Sequence, residues 1–457
     1  MLSVMLLMMG NSLFTTLIAL RADIEGYPNE MIGLMTSAYF FGFAIGTLRT
    51  GPIINRVGHI RSFAAFAAIT SATMLSFLMI LDPWAWVVLR IIMGASIAGC
   101  FIVNESWLNN RATNQSRGML LSVYMMIGYL ASATGQQSLQ IGNPGGVNVF
   151  LFAGILLILA IVPVALTRAT HPDPVAKPQL DLRRLFSISP TALSGCILAG
   201  AIMSSMWGLG PVYARESGFD IDQIATFMSI AVVGGLLLQL PVGRLSDRFD
   251  RRTVLLGISV AAIAPALVLS IGSAFNPLLL FLSIGCFGGL ASTIYPISIA
   301  YANDYLNPED VVSASAGFVL AFGVGAVVGP LAASAMMTLV GAGGLFLLTL
   351  LALAVLIGLI LWRMRIRQWA PVVAKESFVA LPEAPAPVIV TDLDPRAAVD
   401  EQYDLGPDKI DVEEGWGGKS FSYRGRGTVS GKDPGQESAA KTLPTEDESN
   451  AIDLPRS

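Results

Sequence analysis

Arg90 is the residue from which chemistry is most directly argued. It stands seven residues into a long apolar stretch, about 10 Å deep at 1.5 Å per residue. A guanidinium stays charged and presents five donors in one plane. Held away from water, it must face polar or aromatic partners or a water-filled space. Two uses are open: contact with a small anionic or amphipathic molecule, or a pin to neighbouring side chains. Thr134 and Gln136 lie at a similar depth and are the candidates for the pin. Glu105 is fifteen residues further on, about 22 Å away along one helix, so it cannot neutralise Arg90. Arg49 matches Glu105 better by depth, and an Arg49–Glu105 pair is expected as a gate or a brace. The two histidines, His59 and His171, fall in loops, so neither reads as a mid-membrane proton carrier. Glu105 is then the best titrating candidate, either turned to a partner or exposed at the rim. Cys100, Cys196 and Cys286 each lie in an apolar block and read as small core residues, not a disulfide framework. No C-x-x-C, H-E-x-x-H or G-x-x-x-x-G-K-S/T pattern occurs, so neither a metal, a cofactor nor a nucleotide site is expected.

The elements that position these residues follow from composition. The 457 residues are 54% hydrophobic and 13% charged, about half the ~25% charge of a soluble domain. That excludes an ordinary soluble enzyme and a nucleic-acid binder, which needs a basic face. Residues 371–457 hold 9 basic and 17 acidic side chains, and the rest of the chain holds 19 and 15. A hydrophobic body is thus joined to an acidic tail. Blocks of about 20 apolar residues, the length that spans a bilayer, number twelve. They are 1–20, 31–50, 62–81, 84–106, 118–140 and 147–167, then 191–213, 222–243, 253–272, 277–300, 311–338 and 342–363. The first has no basic start or small-residue cleavage site and reads as a retained helix.

Basic residues divide the loops. One set holds Arg56, Arg61, Arg111, Arg117, Arg168, Lys177, Arg183, Arg184, Arg244, Arg248, Arg251 and Arg252, and the alternate set only Arg21 and Arg215. Cations mark cytoplasmic loops, so both termini are expected in the cytoplasm. A shift of 192 residues lays one half on the other, and no gap is needed over the second span and the loops on either side of it. Gly26 falls on Gly218, Glu30 on Asp222, Gly42 on Gly234, Gly51 on Gly243 and Arg56 on Arg248. The organisation expected is a six-helix bundle over 1–167, a cytoplasmic linker over 168–190, a second bundle over 191–363 and a disordered acidic tail over 364–457. The linker carries Pro172, Pro174, Pro178 and Pro190. Parallel halves imply a pseudo-two-fold axis along the membrane normal, with a binding site between them near the midplane. A rigid channel or an embedded enzyme could use twelve helices too, but the repeat makes rocking the natural motion.

The repeated loop reads Gly51-Pro-Ile-Ile-Asn55-Arg56-Val-Gly58-His59-Ile-Arg61 in the first half. In the second it reads Gly243-Arg244-Leu245-Ser246-Asp247-Arg248-Phe249-Asp250-Arg251-Arg252. Both resemble the G-x-L-x-D-R-x-G-R-R/K loop of the major facilitator superfamily. Asp250 stands where that pattern often has Gly, and Asn55 where it has Asp. The resemblance implies a charge network closing the cytoplasmic side, built on Asn55, Arg56, Asp247 and Arg248; a simple topology anchor is the alternative. A second stretch, Arg90-Ile-Ile-Met-Gly94 followed by Asn104-Glu105-Ser106-Trp107-Leu108-Asn109 and Arg117-Gly118, is similar to the YcaD-like branch.

The implied fold is all-α and membrane-integral, twelve transmembrane helices in two pseudo-symmetric six-helix bundles. In that fold spans 1, 7 and 10 line the cavity, and here they carry no mid-depth Asp or Glu. Candidate solute contacts are Arg90, Asn11, Thr15, Trp207, Thr293 and Tyr295, with Ser204 and Tyr301 nearby in sequence. Each aromatic could instead be an interfacial anchor. The resulting expectation is a secondary carrier of a small organic solute in a bacterial-type inner membrane. It is not an enzyme, it works as a monomer, and its partners are the solute, the bilayer and protons or another coupling ion. A membrane receptor that signals through its tail is the alternative.

Overall fold

The computed structural model describes residues 1–111, 117–166, 189–272, 276–306 and 308–366, without the side chains of 109–118, 308–313 and 366. Among the described residues the secondary structure is helical, with no strand. The first half contains α1 (Leu2–Ile24), α2 (Asn29–Val57), α3 (His59–Met79), α4 (Pro83–Arg111) and α5 (Arg117–Gln137). It ends with α6, which runs Asn148–Leu159 and resumes as Ile161–Ala165. The second half contains α7 (Pro190–Glu216), α8 (Ile221–Arg248) and α9, which runs Arg251–Ala261 and resumes as Ile263–Ser270. Then come α10 (Pro277–Asn303), α11 (Pro308–Val340) and α12 (Gly344–Ile366). Eleven of these spans are long and apolar enough to cross a membrane, and α5 is the less apolar twelfth. The two interruptions have one cause. Pro163 and Pro265 supply no N–H to the carbonyls four residues earlier, at Leu159 and Ala261, where the first segments stop. Residues 168–188 of the linker, the tail beyond 366, Arg168, Lys177, Arg183, Arg184, Arg367 and His171 fall outside what is described, as do the side chains of Arg111 and Arg117.

We call the end carrying Met1 and the cation-rich loops the basic end, and the other the opposite end. The 192-residue repeat is visible in backbone geometry. Gly26 has φ +79° and Gly218 φ +89°, a region that costs other residues a Cβ clash. Each follows the same helix ending: Gly26 N–H donates to Asp23 and Tyr27 N–H to Ala22, while Gly218 donates to Arg215 and Phe219 to Ala214. The basic-end turns differ. Gly58, at φ +86°, joins α2 to α3 in a single residue. Its counterpart Asp250 has φ −58° and caps α9, its carboxylate accepting from Arg252 N–H. Capping by Asp satisfies an orphan N–H of the helix start, which is how the second copy dispenses with glycine.

Close crossings recur as well. A Cβ added at Gly42 would lie 2.1 Å from the Ile91 carbonyl, and one at Gly94 2.0 Å from that of Tyr39. In the second half Gly234 would meet Gly285 at 2.0 Å and Gly288 would meet Ala231 at 2.5 Å. Small residues let membrane helices pack backbone to backbone, so α2 on α4 and α8 on α10 are the same joint made twice. Across the halves, α2 packs on α11, α5 on α8 and α1 on α7.

Candidate functional site

Arg90 is 2% exposed on α4. Its guanidinium carbon lies 4.5 Å from the Tyr39 ring centroid. Nε donates to the Met35 carbonyl at 3.4 Å, and Nη1 approaches Met93 Sδ at 3.9 Å. The Tyr39 hydroxyl donates to Asn11 Oδ1 at 3.3 Å. Asn11, Tyr39 and Arg90 therefore form a chain over α1, α2 and α4. No carboxylate joins it among the described ion pairs. The cation is held by a ring face and long hydrogen bonds, the arrangement that leaves donors for an incoming anion.

The pin expected from span 5 is not what holds Arg90. Gln136 turns to α1, where its Oε1 accepts from Thr16 at 2.5 Å and its Nε2 donates to Ser12 Oγ at 2.9 Å. Thr134 is exposed and bonds its own helix at Leu130. Tyr39 does the holding instead, and it was not among the expected site residues. Depth along a helix was known, but the direction around its axis was not.

Thr15 is half-buried and donates to the Asn11 carbonyl at 2.8 Å, one turn back on α1. Trp207 of α7 packs with Val4, Met8, Tyr124, Tyr129 and Val232, a cluster drawn from both halves. It thus stands on the seam beside α1. Thr293 is fully buried and spends its hydroxyl proton on the Leu290 carbonyl at 2.7 Å. Tyr295 is buried edge-on to Phe322, with centroids 4.9 Å apart, between α10 and α11. The structure thus links Asn11, Thr15 and Arg90 and brings Trp207 to the seam. Thr293 and Tyr295 sit within the packing of the second half.

At the basic end the expected Arg49–Glu105 pair is not formed. Arg49 is exposed, whereas Glu105 is 1% exposed and accepts from the Tyr124 hydroxyl at 3.0 Å. Glu105 is a helical, inward-facing residue, not a loop carboxylate. His59 likewise is no loop residue: it opens α3, is buried, meets Ser106 Oγ at 2.9 Å and stacks on Trp107. Asn55, Arg56 and Arg248 are exposed and Asp247 is half-buried.

The strongest basic-end network centres on cations first read as topology markers. Arg251 Nη1 lies 2.6 Å from Asp304 Oδ1 and 2.6 Å from the Ala300 carbonyl, and Nη2 is 3.6 Å from Asp247 Oδ1. Arg252 donates to the Tyr305 hydroxyl and lies 5.5 Å from the Tyr301 ring. Asp247 lies in the last turn of α8 and Arg251 opens α9, so their four-residue spacing crosses a turn and is not a pair on one helix face.

A groove of about 790 Å³ opens between α5, α8 and α10, lined by Thr134, Gln137, Ser229, Leu237, Leu282 and Cys286 among others. None of the expected solute contacts lines it. Leu237 and Leu282 in its lining are exposed, so the groove opens on the outer surface of the helices. Cys286, expected in the core, is exposed on its wall, while Cys100 and Cys196 are buried.

Known proteins share both the sequence pattern and the architecture. The family model for the Major Facilitator Superfamily matches residues 1–234 and 192–393. An MFS-type transporter of Yersinia enterocolitica, YE1530, is 30% identical over 348 residues, 73% of this chain and 88% of that protein. The MFS-type transporter YcaD of Escherichia fergusonii is 28% identical over 328 residues, 71% of this chain and 85% of its own length. Among solved structures the nucleoside transporter NupG has the same fold, with a TM-score of 0.68 at 17% identity over 80% of this chain and 98% of that one. Twelve helical spans among the described residues, a matched family model and relatives named for the YcaD type together show that this chain belongs to the major facilitator superfamily and is a multi-pass inner-membrane transporter, not an enzyme.

Proposed function

We propose that the chain is a secondary carrier that moves a small organic anion or amphipathic solute by alternating access, driven by a solute or ion gradient. The observation that carries this reading is Arg90, a buried cation with no carboxylate beside it among the described ion pairs. An isolated membrane charge is costly and marks a pathway. Arg90 anchors the anionic group, Asn11 and Thr15 offer hydrogen bonds, and Trp207 covers the apolar part from the other half. Thr293 and Tyr295 shape the second-half wall. The basic end faces the cytoplasm, by its loop cations. There the exposed Arg49, Asn55 and Arg56 of the first half and Arg248 of the second exchange partners as the halves rock, while Glu105 and Asp247 stay bonded within their own halves.

Purified protein screened by thermal shift against metabolites identifies a ligand, because binding to the native state raises stability. Counterflow of that labelled solute in reconstituted vesicles then tests transport. Saturable counterflow abolished by Arg90→Gln supports the reading. Counterflow unaffected by Arg90→Gln refutes the anion site, and binding without any flux refutes the carrier.

A further inference from the structure

The groove between α5, α8 and α10 lies apart from Arg90, and its depth follows from helix geometry. With 28 residues, α8 is about 42 Å long and reaches from one headgroup region to the other. Ser229 stands about 12 Å below its start at Ile221. The Ser229 hydroxyl donates to the Ala133 carbonyl at 3.1 Å, which places Ala133 of α5 at the same level. Gln137 is one turn nearer the opposite end, about 6 Å below the start of α8. That is the boundary between headgroups and hydrocarbon. Leu238, the deepest lining residue of α8, lies about 26 Å down, just past the centre. The groove therefore runs about 20 Å, close to the depth of one leaflet.

Its lining is graded to match. At the headgroup boundary the exposed Gln137 accepts from Gln140 Nε2 at 2.6 Å through Oε1. Its NH2 keeps two donors with no protein acceptor among the described residues. Deeper, the wall is Val233, Leu237, Phe281 and Leu282. The hollow exists because Gly234 and Gly285 cross backbone to backbone and offer no side chain to fill it. Its volume of about 790 Å³ lies within the range of ligand sites, about 300–1,000 Å³. Lipid tails are as apolar as leucine, so apolarity alone gives a bound chain no advantage over the bilayer. Shape and the amide do: an unfilled hollow forfeits dispersion contacts, and amide donors at the edge of hydrocarbon require acceptors.

We propose that this groove binds one glycerophospholipid of the opposite-end leaflet, with an acyl chain along α8 and α10 and an ester carbonyl accepting from the Gln137 amide. The lipid touches both halves, α5 of the first and α8 and α10 of the second. The assignment is independent of the carrier reading.

Photo-crosslinking on the full chain in lipid nanodiscs tests this, with a phosphatidylcholine probe bearing a diazirine midway along one acyl chain. Peptide mass spectrometry should find adducts on the groove segments of α8 and α10 about fivefold above those at Leu351 and Val355, exposed residues of α12. Cys286→Trp places a ring on the exposed groove wall and should remove the excess, whereas Val355→Trp should leave it unchanged. A diester lipid should compete with the probe about fivefold better than its diether analogue, the worth of one hydrogen bond. Gln137→Leu should abolish that difference. Adducts spread evenly over the groove and α12 overturn the site. Equal competition by diester and diether lipids on the unaltered protein overturns the glycerophospholipid as its occupant.

Discussion

Removing the Asp304 carboxylate should destabilise the protein far more than removing that of Asp247, although both face the same arginine. Arg251 is 0% exposed, Asp304 is 7% exposed at 2.6 Å, and Asp247 is 36% exposed at 3.6 Å. Deleting one member of a buried pair strands the other charge at a cost of about 3–5 kcal/mol. A half-exposed, longer contact contributes about 0.2–1 kcal/mol. Asp304→Ala is therefore expected to cost about 3–5 kcal/mol and Asp247→Ala about 1 kcal/mol or less. The double variant Arg251→Met/Asp304→Leu fills similar volume without charge, so it should cost less than Asp304→Ala alone. Unfolding titrations in mixed micelles with increasing SDS, followed by tryptophan fluorescence, give the free-energy differences. Equal costs for Asp304→Ala and Asp247→Ala, or a double variant worse than the single, would show that burial does not set the strength of this network.

Three further outcomes are expected. Gly94→Ala should collapse the yield of monodisperse protein in size-exclusion chromatography, because its Cβ would lie 2.0 Å from the Tyr39 carbonyl. Gly323→Ala should not, since nothing lies within 4 Å there. Glu105→Gln should slow counterflow or lower protein level, because the carboxyl is buried on Tyr124; unchanged values of both would remove any gating or bracing role. Deleting residues 375–457 should leave the counterflow rate at that of the full chain, and complete loss in a normally inserted truncation would assign the tail a part in transport.

The architecture was legible because a bilayer imposes length and polarity on each span separately. Twelve apolar blocks and a constant offset were enough, without knowing one side-chain contact. Helix ends were less so. The second block was expected over 31–50, and α2 runs Asn29–Val57; an apolar block measures hydrocarbon thickness, and a helix continues past it where polar residues still hydrogen-bond along the backbone. Arg90 and Asn11 were legible as polar groups where polarity is expensive. Tyr39 was not, because a tyrosine among apolar residues reads equally as packing until its ring is seen under the guanidinium. Asp304 lies 53 residues from Arg251, and no local pattern joins them. Gln136 was placed at the correct depth and given the wrong neighbour, since one residue along a helix turns a side chain by about 100°.

The two ends of the molecule are held by different chemistry, and the repeat makes the difference readable. At the basic end the second half has Asp247, Arg251 and Asp304 in contact, while the first half has Asn55 at the position of Asp247 and leaves Arg56 exposed. The Asp247, Arg251 and Asp304 contacts join helices of one half, so they stiffen that half as a body. At the opposite end the equivalent positions 23 and 215 carry opposite charges and bond each other across the axis. Under the proposed rocking, a network inside a half would survive and a bond across the axis would not. On that proposal, charge placed within a half holds the half together, and charge placed across the axis biases one arrangement of the two. Neutralising Asp23 or Arg215 should change how often the halves exchange positions and leave each half's stability nearly untouched, whereas neutralising Asp304 should do the reverse.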